Sequence, residues 1–201
     1  MKNPEQITAA YYNRNATHWA TRKNNSFWHE KQFKKFFGYL KTKESVLEIG
    51  CAYGIHVPLF LGIGRNLKYE GIDISTSMIR LAKARYPQLS FGFGNIAKKK
   101  TLPRKKYDAF WSAATLMHVP QEHWSDMLTN IEHLIKPRGI GYISIPIARP
   151  NPPSEKDNRH FTVLNPAQFK KIVTARGWKV LHSGKINNDP DIWRWFIVRL
   201  P

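Results

Sequence analysis

Within VLEIGCAYGIHVPLFL, Val46 to Leu61, the carboxylate of Glu48 precedes two glycines, Gly50 and Gly54, which break an apolar run that then resumes at helical spacing. A turn this tight after a strand lets backbone N–H groups approach a ligand and starts a helix without a side-chain clash. Ala52 stands between the glycines, so the pattern is Gly-x-Ala-x-Gly and not the dinucleotide fingerprint Gly-x-Gly-x-x-Gly. Asp73 lies 19 residues beyond Gly54, closing a second apolar run in YEGIDIS. A carboxylate there can accept from both hydroxyls of a ribose, an arrangement neutral side chains match poorly. The alternative for Asp73 is a helix cap or a solvated turn residue. His118, in LMHVP after a later apolar run, has an imidazole whose ordinary pKa suits proton transfer near neutrality. It is a candidate general base, or else a loop histidine held by a structural hydrogen bond.

These side chains need a scaffold that turns strand ends toward one crevice. From about residue 46, apolar blocks and turn signals alternate in a βαβα rhythm, which predicts a mostly parallel sheet with helices on both faces. Strands are expected at 46–49, 69–74, 89–93, 107–112, 140–145, 178–183 and 192–198, seven in a single sheet. Between them, STSMIRLAKARY opens with a capping serine, and PQEHWSDMLTNIEHLIKP repeats apolar residues every three or four positions and stops before Pro137. NPAQFKKIVTARG has a capping Asn165, proline in the first helical position and a closing glycine. The first 45 residues carry aromatics among Asn, Lys and His without strand signals, and predict one or two amphipathic helices, HEKQFKKFFGYL among them.

Taken in order, VLEIGCAYG, GIDIS, FGFGNI, YDAFWSAATLMHVP and HLIKPRGIGYISIP resemble the motif series of class I S-adenosylmethionine-dependent methyltransferases, over roughly residues 46 to 146. The tail RHFTVLNPAQFKKIVTARGWKV resembles small bacterial members, and Tyr11, Tyr12 and Trp19, with Arg22 after them, resemble their N-terminal lid helix. The resemblance implies an α/β, Rossmann-like, doubly wound sheet with an antiparallel last strand. It implies one domain over 1–201, with 1–45 as helical lid and 46–201 as core. The cofactor it implies is S-adenosyl-L-methionine, leaving as S-adenosyl-L-homocysteine, with no metal. Glu48 then orients the methionine end and the loop of Gly50, Cys51, Ala52 and Gly54. Asp73 takes the ribose, Ile74 and Met78 pack on the adenine, Asn95 and Ile96 meet its edge, and Ala113 brings its backbone to the amino group. Tyr12 and Trp19 close over the cofactor, where an aromatic face toward a sulfonium gains ~0.5–2 kcal/mol. Three positions depart from the family pattern: Asn95 replaces the usual aspartate, Ala52 the middle glycine, and Pro137-Arg138-Gly139 a Pro-Gly-Gly turn.

The totals narrow the function classes. Cys51 is the sole cysteine among 201 residues, which excludes a disulfide framework and fits a reducing cytoplasm. The polar start is unlike a signal peptide, and no run approaches the ~20 apolar residues of a membrane span. Lys and Arg number 32 against 14 Asp and Glu, a formal charge of +18 that suits an anionic partner such as RNA. The clusters Lys98–Lys100 and Arg104–Lys106 carry no interleaved aromatics for stacking on bases, and a solvated surface accounts for them equally. A small-molecule acceptor with an O- or N-nucleophile is therefore expected. The alternatives are an RNA or tRNA methyltransferase using the basic surface and a non-catalytic nucleic-acid-binding module on the same fold. Arg159, His160, Trp193, Arg194 and Trp195 are candidates for the acceptor pocket, Arg159 for a carboxylate. NPPS at Asn151 differs in place and sequence from the Asn-Pro-Pro-aromatic motif of exocyclic-amine methylation. Oligomeric state is left open.

Overall fold

Alternate residues of the first strand point to opposite faces: Val46 and Glu48 to one side, Leu47 and Ile49 to the other, all four buried. That double burial is what a parallel sheet between two helical layers requires. The computed structural model describes residues 3–22, 29–64, 66–148, 157–163, 165–188 and 191–201. Its strands are β1 (Ser45–Ile49), β2 (Lys68–Asp73), β3 (Ser90–Phe93), β4 (Tyr107–Ala113), β5 (Ile135–Ala148), β6 (Lys179–Asn188) and β7 (Asp191–Arg199). They form one seven-stranded sheet in the order β3-β2-β1-β4-β5-β7-β6. Pairs are parallel from β3 through β5, and β7 runs antiparallel to both β5 and β6. The chain winds outward from β1 to β3 and then returns to β4, so β1 and β4 flank the switch point, where a crevice opens beyond their carboxyl ends.

Among the described residues six helices cover this sheet: α1 (Pro4–Thr21), α2 (Glu30–Phe37), α3 (Val57–Leu61), α4 (Thr76–Arg85), α5 (Trp124–Leu134) and α6 (Pro166–Ala175). On one face Phe33, Phe36, Val57, Phe60, Ile79 and Ala82 from α2, α3 and α4 pack on Val46, Ala109, Trp111 and Tyr142. On the other, Trp124, Met127, Ile131, Phe169 and Val173 from α5 and α6 pack on Leu47, Ile49, Phe110 and Ile143. Helix α1 is different, because it is largely polar and buries Glu5, Thr8 and Ala16. Asn3 caps it in a reciprocal pair with Gln6. It is tied to α4 by Asn13, whose Oδ1 accepts from the Ser75 hydroxyl at 2.8 Å and the Ser77 N–H at 3.0 Å.

The expected elements are present with shifted ends. Strand β5 begins at Ile135, five residues before the expected 140, because α5 stops at Leu134 and the chain is extended ahead of Pro137. The register slips between the Tyr107–Ile135 and Ala109–Ile140 pairs, which accommodates Arg138 at φ 63°. Among the described residues no helix is long and apolar enough to cross a membrane.

Candidate active site

The turn after β1 is built on left-handed backbone: Gly50 at φ 78°, Ala52 at 48° and Gly54 at 79°. A Cβ at Gly50 would stand 2.1 Å from Oγ1 of Thr115, so only glycine lets this loop lie against the segment after β4. The Gly50 and Cys51 N–H groups donate to the Ile72 carbonyl at 2.8 and 3.1 Å, locking the loop to the end of β2. The Cys51 side chain is buried beneath the loop, where burial pushes its thiol well up and keeps it protonated.

Asp73 closes β2 beside this loop. Its Oδ2 accepts from the Ala52 N–H at 2.9 Å and its Oδ1 from the Ser75 N–H at 2.8 Å. Burial raises its carboxyl to about 6 against the lowering effect of these N–H groups. Together with Gly50, Ala52, Ile74, Met78, Asn95, Ile96 and Ala113 it lines a cavity of about 600 Å³ at the switch point. That volume lies within the range of about 300–1,000 Å³ typical of small-molecule sites.

Asn95 lines the cavity with its side-chain amide already engaged by neighbours. Its Oδ1 accepts from the Ala97 N–H at 3.0 Å, and its Nδ2 donates to Oε2 of Glu5 at 2.8 Å. Glu5 comes from α1, is 3% exposed, also accepts from Nδ1 of His123 at 2.9 Å, and lines the cavity. The negative charge missing at residue 95 is thus present one side chain away, on another element. Glu48, by contrast, is not part of the cavity wall. It is 1% exposed and accepts from Nδ1 of His56 at 2.6 Å and from the Tyr69 hydroxyl at 2.5 Å. His56 stands in the wall in its place, near His29.

Helix α1 crosses the opposite side. Tyr12 and Trp19 line the cavity, and the Tyr12 hydroxyl lies 2.9 Å from Nε2 of His118. His118 Nδ1 is 2.7 Å from the His160 carbonyl, an acceptor only, so Nδ1 carries the proton and Nε2 accepts from Tyr12. Nη1 of Arg159 donates to the same Tyr12 oxygen at 2.7 Å. Its Nε and Nη2 are taken by Asp157. The guanidinium carbon sits 4.7 to 5.4 Å from the ring centroids of Tyr11, Tyr12, Trp19 and Phe161. Arg159 is therefore a largely buried, aromatic-wrapped cation with three of its five N–H donors engaged by Asp157 and Tyr12, and through Tyr12 it fastens α1 to the segment at 157–163. Burial raises the Tyr12 hydroxyl above the usual phenol range, so it stays neutral.

Of the expected acceptor-pocket residues, Trp193 and Arg159 line the cavity, whereas His160, Arg194 and Trp195 do not. His160 turns away, its ring nitrogen 2.9 Å from the Thr162 hydroxyl. NPPS lies outside the described residues. Glu5, Thr8, His29, His56 and Thr115 entered the wall without a sequence signal, because what brings them there is packing between distant segments. Among the described residues no group of three His, Cys, Asp or Glu side chains is arranged to hold a metal ion.

Residues 46–139 match the family described as methyltransferase domain. A probable S-adenosylmethionine-dependent methyltransferase of Mycolicibacterium smegmatis is 23% identical over 138 residues, covering 67% of this chain and 52% of that protein. Malonyl-[acyl-carrier protein] O-methyltransferase 1 of Ilyobacter polytropus is 32% identical over 85 residues, covering 41% and 31%. The chain spans about half or less of the length of these curated relatives. Magnesium protoporphyrin IX methyltransferase from Synechocystis PCC 6803, solved with bound SAM, has the same fold, with a TM-score of 0.75 at 18% identity over 100% of this chain and 99% of that one. Residues 46–139 thus match a methyltransferase domain, and motif order, strand topology and these likenesses support a class I S-adenosylmethionine-dependent methyltransferase.

Proposed function

We propose that the chain is the catalytic domain of an S-adenosylmethionine-dependent methyltransferase acting on an O- or N-nucleophile of a small molecule. The observation that carries this reading is a buried carboxylate, Asp73, aimed into a switch-point cavity whose next wall is the apolar pair Ile74 and Met78. Asp73 holds the ribose hydroxyls, the apolar pair holds the adenine, and Glu5, with Asn95 behind it, accepts from the adenine amino group. Cofactor bound there supplies a methyl made electrophilic by the adjoining sulfonium.

The chain's own tasks are then to hold the acceptor in line, exclude water and take one proton. Helix α1 is the lid, closing the cavity with Tyr12 and Trp19 and fastened by Arg159. His118 Nε2 is the proton acceptor, directly or through the Tyr12 hydroxyl that it binds, while Nδ1 keeps its proton against the His160 carbonyl. A phenol or an amine suits this base. The aromatic and thioether walls, Trp19, Phe161, Trp193 and Met117, suit a flat, largely apolar acceptor. One domain with a helical lid, working in the cytoplasm, completes the reading.

The test is calorimetric titration of S-adenosylhomocysteine into the folded protein and into Asp73→Ala. We expect wild-type binding and at least a hundredfold loss in the variant. A silent wild-type titration, or equal affinity in the variant, rejects the assignment.

A further inference from the structure

The buried charge of Glu48 has a single outlet. Its two oxygens are held by Tyr69 and His56, and of these three side chains only His56 reaches the cavity. Donating Nδ1–H to a carboxylate leaves the imidazole lone pair on Nε2, at the other edge of the ring. Among the described residues Nε2 of His56 makes no hydrogen bond, and it is not one of the unpartnered atoms sealed from solvent, although the residue is only 5% exposed. It is thus an open acceptor on a nearly buried ring, with a negative charge directly behind it. The neighbouring ring of His29, with its centroid 5.8 Å away, brings no opposing charge, since burial lowers its basicity and keeps it neutral. A ring nitrogen lone pair backed by a carboxylate is complementary to an ammonium group and repels a carboxylate.

The inference rests on the adenosyl reading above. With the ribose on Asp73 and the adenine toward β3, the rest of the cofactor must extend the other way, past Gly50 toward Ala113, along the part of the wall that holds His56. We propose that His56 relays the charge of Glu48 to the α-ammonium group of the methionyl end, accepting its hydrogen bond at Nε2. His56 is then a cofactor-binding residue, and Glu48 is a positioning residue that acts through it.

Three probes separate this from a structural role. S-adenosylhomocysteine carries ammonium and carboxylate, its decarboxylated analogue carries the ammonium alone, and 5′-methylthioadenosine carries neither. In His56→Phe, calorimetry should show affinity for the first two falling about 10- to 100-fold, as for loss of a hydrogen bond to a charged group. Affinity for methylthioadenosine should stay within about twofold, which also reports a folded site. Glu48→Gln, which keeps the shape and removes the charge, should repeat the pattern. Equal losses on all three probes would make His56 a mere prop of the loop and overturn the relay. A loss confined to S-adenosylhomocysteine would assign the carboxylate to His56 and overturn it too. If wild type binds none of the probes, it is the adenosyl reading that fails; if wild type binds and the variants are unselective, only the relay fails.

Discussion

Ala52 adopts φ 48°, a left-handed conformation that costs an L-residue roughly 1–2 kcal/mol and glycine little. Its N–H is nevertheless committed to Asp73, so the strain is held in place by the site it helps to build. Ala52→Gly should therefore stabilise the fold by about 0.5–1 kcal/mol in urea denaturation, the relief being offset in part by glycine's larger unfolded entropy. Asp73 gives a pH signature of two opposite signs. Its carboxyl is raised from 3.8 to about 6 in the folded chain, so this group's contribution to stability is full below about 4 and is lost as pH rises to about 6. Ribose hydroxyls donate to the ionised form, so S-adenosylhomocysteine affinity should rise across that window and level off above it. Parallel titrations from pH 5 to 8 check the sign; affinity that falls as pH rises would show that the protonated acid is the binding form.

At the scale of elements, the informative one is α1, a polar helix that buries a carboxylate, a threonine and an alanine. Its polar attachments are Asn13 on α4, Glu5 on Asn95 and His123, the Thr8 hydroxyl on the His160 N–H, and Tyr12 on His118 and Arg159. Besides one small apolar cluster, in which Tyr12, Ala16, Trp19 and Ala20 meet Tyr53 and Met78, the helix is fastened by polar bonds that can be exchanged for water, as a closing element requires. Arg159→Ala removes one fastening and leaves Asp157 without its bidentate partner. We expect faster hydrogen exchange along α1 and S-adenosylhomocysteine dissociating about tenfold faster, a loss near the lower end for charge-assisted bonds. The sheet core, which α1 does not complete, should keep its unfolding midpoint. Unchanged exchange in α1 would show that the helix is held by its other attachments.

Across the whole molecule, one group of positive charges lies at the strand ends opposite the cavity, while Lys98 to Lys100 follow β3 on the cavity side, with Lys98 Nζ 3.6 Å from Glu5. Lys43 precedes β1, Lys68 starts β2, Lys105 and Lys106 precede β4, and Lys136 and Arg138 lie at the start of β5, all exposed. The cavity is at the carboxyl ends of β1, β2 and β4. Seven residues of β4 separate the two, about 20 Å at roughly 3.3 Å per residue, more than twice the physiological Debye length of about 8 Å. A nucleic acid held on this rim alone would not present a base to the cavity. Reversing Lys43, Lys106 and Arg138 together to Glu should change S-adenosylhomocysteine affinity by less than about twofold at physiological salt. Any binding of duplex RNA should weaken and its salt slope flatten by about two to three, close to one for each phosphate no longer neutralised.

Much of this protein was legible from local chemistry. Strand identities, the Gly50–Gly54 turn and the carboxylate closing β2 follow from side-chain periodicity and from steric limits on a few neighbouring residues, and the chain carries those wherever it goes. The resemblance of the ordered motifs then implied the fold, and the sheet order agrees with it. Local rules could not reveal partners: Glu5 meets Asn95 across 90 residues, Arg159 meets Tyr12 across 147, and both pairings exist because α1 is laid over the sheet. For the same reason Glu48 and Asn95, read in line, were expected to face the cofactor. In the folded chain Asn95 does stand in the cavity wall, joined by a glutamate from the first helix, whereas Glu48 lies behind it and a histidine eight residues on stands there in its place. Sequence determined where the strands end and which residue types gather there; tertiary packing decided which of those groups are spent on one another and which are left open to a ligand.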